Sequence, residues 1–358
     1  MDRDYTWLFN LRRQVVGFLA TLKGKRRKGF YHYSLTGDFF GERFKWGLGN
    51  SVFFLKIAYT LGLEESHRIE INEAIQYIKS FQKINGLFYD PLINLLTLPS
   101  RILKVVKNGD PQRLGNEQTK RAETRQALSS LLLFREKPNY QYQQFPNTEN
   151  HVDVFLSALD WKRPWNAGSH FSHLLFFINQ SALLNKDTLI QYATAWINQR
   201  QKPDGFWYEG SPSVQEKING AMKIITGLRA INRVNFKGAD KITDLCLKSK
   251  NDTHACDNFN ITFVLTYCNY ILSNHYRTRE IEEFMSDRLA IYRQYFYQKA
   301  GGFSFNKNRA GQRYYGATIT RGRNEPDIHG TVMFLWGISL ITQVLKMNYE
   351  LNFREFTT

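Results

Sequence analysis

Proline is scarce. Nine residues in 358 is about half the usual ~5% share, and a chain that avoids proline is free to spend itself on helices. Cysteine is scarcer still. The three present are scattered and form no C-x-x-C pair, which excludes a disulfide scaffold and a zinc ribbon. Long apolar runs are missing too: Val332 to Ile341, interrupted by Gly337 and Ser339, falls short of the ~18–20 residues a membrane span needs. The N-terminus does not read as a secretory signal, because its basic cluster, Lys23 to Lys28, follows the apolar stretch instead of preceding it. Acids are in deficit, 32 against 48 Lys and Arg, a formal charge of +16 that favours anionic partners. No nucleic-acid-binding module accompanies that charge, so nucleic acid is not expected. Apolar content of 42% with 15% aromatics excludes a disordered chain. Together these exclusions predict a cytoplasmic, helical, basic protein.

What is present is helical periodicity. Ile71, Ala74, Ile75 and Ile78 follow the i, i+3, i+4, i+7 pattern, and 188–201 and 280–298 read the same way. Each such amphipathic stretch alternates with one that is apolar nearly all round, as a helix buried by neighbours should be. The pairs expected are 7–22 with 46–62, 71–82 with 122–135, 153–161 with 167–183, 187–201 with 215–231, 241–250 with 256–272, and 279–298 with 327–345. Six outer-plus-inner pairs predict an all-α fold closed into an α/α toroid, with a central cavity facing the inner-helix N-termini. No Pro/Gly/Ser-rich linker interrupts it. The expectation is therefore one domain over 1–358, with 1–30 as an N-terminal helix and basic segment. The long connections 83–121 and 299–326 are candidates for functional loops.

Within three pairs the punctuation repeats: Gln82-Lys-Ile-Asn-Gly86-Leu-Phe88, Gln201-Lys-Pro-Asp-Gly205-Phe-Trp207 and Gln298-Lys-Ala-Gly-Gly302-Phe303. Glycine stops a helix by taking positive φ, the Gln amide can tie the turn, and the aromatic plugs the seam to the next pair. This Q-x-x-x-G-x-W/F pattern resembles the repeat of squalene–hopene and oxidosqualene cyclases. Protein prenyltransferase β subunits share their toroid. The stretch Asp204-Gly-Phe-Trp-Tyr208, with Glu216 and Ala221-Met222, resembles a second family, the α/α barrels of unsaturated-uronyl hydrolases.

Three clusters carry candidate chemistry. The first is Arg321-Gly-Arg323-Asn-Glu-Pro-Asp327-Ile-His329-Gly-Thr331. Pro326 and Asp327 suit a helix start, whose dipole is available to an anion. The resemblance implies more. Class II terpene cyclases open an inner helix with D-x-D-D-T-A, and here His329 stands where the proton-donating Asp would be. Prenyltransferases bind zinc through D-x-C and diphosphate through nearby cations, which implies Asp327 and His329 as ligands or acid/base groups. Arg321 and Arg323 are then expected to grip the anion bidentately. Arg313, Tyr314 and Tyr315 precede them as a basic, aromatic lid.

The second cluster joins Trp165 and Asn166 to His170 and His173, an i, i+3 pair on one helix face. Asn166 and His170 are candidates for proton abstraction. The third, His254, Cys256 and Asn258, opens the fifth inner helix; His254 and Cys256 with Asp327 or His329 are the candidate zinc ligands, and magnesium is the other metal considered. Asn219, Asn258, Trp165 and Trp207 are expected to line the cavity. The N-terminal stretch 7–28 joins an apolar helix to a basic cluster, which suits peripheral contact with an anionic membrane.

Function is thus expected to be that of a terpene-cyclase or prenyltransferase-like enzyme on an anionic, prenyl- or diphosphate-bearing small molecule. The alternatives are a lyase, hydrolase or epimerase on acidic glycans, and a non-catalytic toroid that binds a partner.

Overall fold

The computed structural model describes residues 5–108 and 114–358. The first four residues of the N-terminal segment, and 109–113 of the 83–121 connection, lie outside the described residues. Among the described residues the fold is all-α apart from two short hairpins. Backbone contacts divide it into two compact units. Unit one takes the described residues of Met1–Gln141, Ile291–Ser339 and Asn348–Phe356; unit two takes Tyr142–Ala290, Leu340–Met347 and Thr357–Thr358.

Unit one opens with α1 (Thr6–Leu22), whose apolar stripe Leu8, Leu11, Val15, Phe18 and Leu22 is buried. In α2 (Leu48–Leu61) every residue but Tyr59 is buried, and Gly62 at φ 67° ends the helix in a left-handed cap. The amphipathic α3 (Arg68–Lys79) turns Ile71, Ala74, Ile75, Tyr77 and Ile78 inward and packs on α2. The connection expected as a loop contains helices α4 (Pro91–Leu96) and α5 (Leu98–Asn108). Their signal was in the sequence: Asp90 caps α4 through the Leu92 and Ile93 N–H groups, with Pro91 at its first position. Next comes α6 (Glu117–Leu133), which also packs on α2.

Unit two contains α7 (Glu149–Ser157), α8 (Pro164–Gln180), α9 (Lys186–Gln199), α10 (Val214–Ala230), α11 (Ala239–Leu247), α12 (Ala255–Ile271) and most of α13 (Thr278–Arg293). Amphipathic α9 lies on α8, and α11 lies on the more deeply buried α12. The central contacts run from α8 to α10 to α12. Helices α8 and α10 approach so closely that a Cβ on Gly220 would lie 2.7 Å from Pro164 Cβ.

The chain returns to unit one through β1 (Phe296–Tyr297), β2 (Gly302–Phe303), β3 (Arg313–Tyr314) and β4 (Ala317–Thr318). Helix α14 (Ile328–Val344) begins there, and α15 (Asn348–Leu351) follows. The helix expected over 279–298 stops at Arg293. The aromatic run Tyr295–Tyr297 instead pairs back, Phe296 on Phe303 and Tyr297 on Gly302, around a turn with Gly301 at φ 81°.

The repeat motif acts as a tie. Gln82 donates through Nε2 to the carbonyls of Gly86 (3.3 Å) and Tyr140 (2.6 Å) and accepts from the Asn139 and Tyr140 N–H groups. Gln201 donates to the carbonyls of Gly205 (2.7 Å) and Lys237 (2.6 Å). Tyr140 and Lys237 precede α7 and α11, so each amide fastens the end of one amphipathic helix to the approach of the next.

Glycine substitutions separate the tight turns from open helix surface. Gly205 sits at φ 88°, and a Cβ there would meet the Gly238 carbonyl at 2.7 Å. Gly17 lies within α1 with nothing within 4 Å of its would-be Cβ. Urea unfolding should show Gly205→Ala losing about 1–3 kcal/mol, while Gly17→Ala gains roughly 0.5–1 kcal/mol. Equal effects at the two sites would refute this account of the turns.

Candidate functional site

In unit one the expected pair at the start of α14 separates into two roles. Asp327 is fully buried. Its Oδ1 accepts from Gly330 N–H (2.7 Å), which makes it the helix cap, and its Oδ2 accepts from Phe305 (2.7 Å) and Gly311 (2.9 Å). Burial raises its carboxyl to about 7 against the pull of those N–H groups. Its oxygens are occupied by backbone.

His329, two residues on, is half-buried in an aromatic cage. Its ring stacks on Phe53 at 4.7 Å and 10°, lies 4.7 Å from Phe305, and meets Tyr314 edge-on at 6.1 Å. The Tyr33 hydroxyl sits 3.4 Å from its Nδ1. The hairpin β3–β4 delivers Tyr314 and Tyr315 to this place, their rings 4.5 Å apart. The Tyr314 hydroxyl lies over Gly49 in the first turn of α2, where a Cβ would be 2.5 Å from it. Burial raises both phenols, with Glu123 contributing.

Glu123 and Arg125 of α6, and Asp90 at the start of α4, are site residues that composition did not single out. Asp90 gathers four backbone donors: Gly47 (2.7 Å) and Leu48 (3.2 Å) at the start of α2, and Leu92 and Ile93 of its own helix. Burial still lifts its carboxyl to about 6. Glu123 Oε2 accepts from Asp90 N–H at 3.1 Å, while its buried Oε1 has no partner. Burial, then the Asp90 charge, pushes the Glu123 carboxyl well above the ordinary range. Arg125 is buried, its Nε without a partner, and burial lowers its pKa while both tyrosines raise it.

Glu123 and Asp327, from different positions on their helices, fill the same acceptor slot for the N–H two residues past the motif aromatic in two copies of the repeat. After the first motif, Phe88 N–H donates to Thr124 Oγ1 and Asp90 N–H to Glu123. After the third, Phe303 N–H donates to Thr331 Oγ1 and Phe305 N–H to Asp327. The slot holds a capping carboxylate in one copy and leaves an oxygen open in the other.

The remaining candidates of unit one lie outside this cage. Arg313, Arg321 and Arg323 are exposed; Arg321 stands 5.4 Å over the Phe39 ring and Arg323 donates to Thr36 Oγ1 at 2.9 Å. In the N-terminal stretch, Trp7 packs 5.9 Å from Phe296. The basic segment is tied down: Lys25, Arg26 and Arg27 donate backbone N–H groups to Glu42, and Lys23 lies between Glu70 (3.3 Å) and Glu73 (3.4 Å).

Unit two holds a different cluster, made of amides. Asp257, fully buried in the first turn of α12, accepts from Asn219 (2.9 Å) and Gln215 (2.5 Å). Asn219 in turn accepts from Asn251 (3.2 Å) and Asn260 (2.8 Å). Asn258 accepts from Arg288 at 3.1 Å. The Trp165 ring lies 6.4 Å from His254. His170 and His173 are buried on α8, rings 5.7 Å apart, and Asn166 is exposed on the same helix. Trp207 is buried against Phe236, its indole 5.3 Å away, at the seam after the second motif.

His254 caps α12 by accepting Asp257 N–H at 3.3 Å, and Cys256 sits in that helix's first turn. Among the described residues, no three His, Cys, Asp or Glu gather as a metal would require.

No known protein family and no curated protein matches the sequence. Among solved structures, one described as a crystal structure of a protein from Actinoplanes matches with a TM-score of 0.49 and 11% identity, over 95% of this chain and 100% of that one.

The acids have a consequence for pH. A carboxyl whose folded pKa lies above its unfolded value adds stability at low pH, and that contribution is lost as pH rises through the folded pKa. Glu123→Gln removes the titration and keeps the shape. Melting temperature measured from pH 5 to 8 should show the variant gaining on the native protein as pH rises. Parallel curves would mean that Glu123 is not held protonated.

Proposed function

We propose that this chain is an enzyme of the terpene-cyclase and prenyltransferase-like group, an α/α toroid of six helix pairs. Its substrate carries an apolar, unsaturated chain and an anionic head, and the chemistry occurs in the aromatic cage of unit one. The ring reading is supported inside unit one, where the last pair returns to the first. Gln14 of α1 donates to the Gln298 carbonyl (3.2 Å), Gly301 lies against the Gln14 carbonyl, and His329 of α14 stacks on Phe53 of α2.

The observation that carries the functional reading is the open oxygen of Glu123, a buried acid beside Tyr314 and Tyr315. A carboxylic acid kept neutral in an apolar site still holds its proton at neutral pH, where a carboxyl of ordinary pKa has lost it, and can deliver that proton to an alkene bound against it. The proton passes from Glu123 Oε1 to carbon; the carboxylate left behind keeps its bond from Asp90 N–H. Positive charge then develops on the substrate, and the faces of Phe53, Phe305 and Tyr314 suit it. His329 takes a proton in the final step. Arg125 meets the anionic head, a better place for it than the exposed Arg321 and Arg323. Asp327 sets the helix start and takes no part in proton transfer.

A second reading rests on the Tyr33–His329 contact. A phenol and an imidazole in contact suit proton abstraction beside a uronate carboxylate, with Arg125 as the carboxylate's partner. Asn166 and His170, also expected for that chemistry, belong to α8 in unit two.

Farnesyl and geranylgeranyl diphosphate, tested against uronic-acid oligosaccharides by thermal shift, separate the two. The prenyl diphosphates should raise the melting temperature, and Arg125→Leu should lose most of that rise. His329→Ala should melt within a few degrees of the native protein and lose turnover. A shift produced by oligouronates alone would replace the first reading with the second.

A further inference from the structure

Helix α5 is inside out. Its one buried cation, Arg101, points into the protein, where its guanidinium donates to the carbonyls of Asn94 and Leu114. Its apolar side chains point to solvent: Leu103 is 70% exposed, Val106 79% and Ile102 45%. Leu95, on the preceding α4, adds a fourth at 61%. Ile102, Leu103 and Val106 fall at i, i+1 and i+4, so they share one helical face. Scattered exposed leucines are ordinary, whereas a contiguous apolar face on a surface helix marks a site of contact.

Along the sequence of these two helices the charge has one sign. From Pro91 to Asn108 the chain has no acidic residue, while Lys104 and Lys107 flank the apolar positions. Both lysines are exposed, and neither forms an ion pair among the described residues. This differs from the basic segment 23–28, whose charges are answered by Glu42, Glu70 and Glu73. The tie from Arg101 to Asn94 and Leu114 holds α5 from both sides, so the face is fixed outward. An apolar stripe edged by exposed lysines is complementary to an anionic lipid surface: the side chains enter the acyl boundary and the ammonium groups stay with the phosphates.

We propose that the α4–α5 face docks the protein on an anionic membrane, through Leu95, Ile102, Leu103 and Val106 with Lys104 and Lys107. The face adjoins the site of unit one, since α4 packs against β4, directly after the Tyr314–Tyr315 turn. The proposal stands whether or not the reaction suggested above is correct, because it rests only on these two helices.

Co-sedimentation with vesicles tests it. The full chain should pellet with phosphatidylcholine vesicles containing about a third phosphatidylglycerol and should release at high salt. The double variant Leu103→Glu/Val106→Glu should cut the bound fraction at least about tenfold with an unchanged melting temperature. Lys104→Glu/Lys107→Glu should weaken binding to anionic vesicles only. Native protein that stays in the supernatant, or that binds pure phosphatidylcholine equally well, would overturn the proposal. So would an unaffected Leu103→Glu/Val106→Glu variant, or one that melts several degrees lower, since the face would then belong to the core. A native dimer, seen by light scattering and split by that variant, would give the face to a second copy of the chain.

Discussion

Burying a carboxylate away from water costs several kcal/mol unless hydrogen bonds answer it, and unit one meets that demand with backbone N–H groups. Asp90 takes donors from the starts of α2 and α4, and Asp327 from α14 and from the loop that follows β2. Each carboxylate is therefore a knot through which several segments pass. Although the chain carries 48 cations, no ion pair among the described residues joins one to Asp90, Glu123 or Asp327. Burial raises all three carboxyls above their ordinary values. Unit two answers its buried carboxylate with side chains: Asn219 and Gln215 donate to Asp257, His254 Nε2 lies 3.5 Å from its Oδ2, and Asn251 and Asn260 hold Asn219.

Periodicity made the helices legible. The inner stretches 46–62, 167–183, 215–231 and 256–272 match α2, α8, α10 and α12 to within a few residues, because a helix buried on all sides must be apolar on all sides. The Q-x-x-x-G motif was legible for a different reason: positive φ at Gly86 and Gly205 is a local demand that only a few residues meet. Helices α4 and α5 were not found. Helix α4 is only six residues long, and the apolar face of α5 is exposed, so the logic that apolar residues mark the interior misreads it. The shortening of α13 at Arg293 reflects tertiary choice; Tyr295 to Tyr297 suit helix or strand, and pairing with Gly302 and Phe303 decides.

The site was half legible. Asp327 and His329 were singled out correctly as neighbours at a helix start, but their division of labour depends on who donates to whom. Glu123 and Arg125 look like surface charges in Ala122-Glu-Thr-Arg125; only the fold buries them. Conversely, Arg321 and Arg323 look like a binding pair and stand in solvent. Charge in a sequence is read easily, whereas burial of charge is set by contacts far apart in the chain.

The contact of Gln14 with Gln298 spans 284 positions, and that of Tyr33 with His329 spans 296. Pairings of such sequence separation are slow to form, since loop closure must precede any reward. A ribosome feeds out residues in order, so α1 and α2 emerge long before the segments that cover them. Until the β1–β2 turn and the start of α14 arrive, Phe18, Phe53 and Tyr33 have no partners from that end. Unit two, contiguous from Tyr142 to Ala290 apart from its short returning pieces, can gather its helices meanwhile. Assembly during synthesis would then run middle first, with the oldest part of the chain waiting longest and in greatest need of a chaperone.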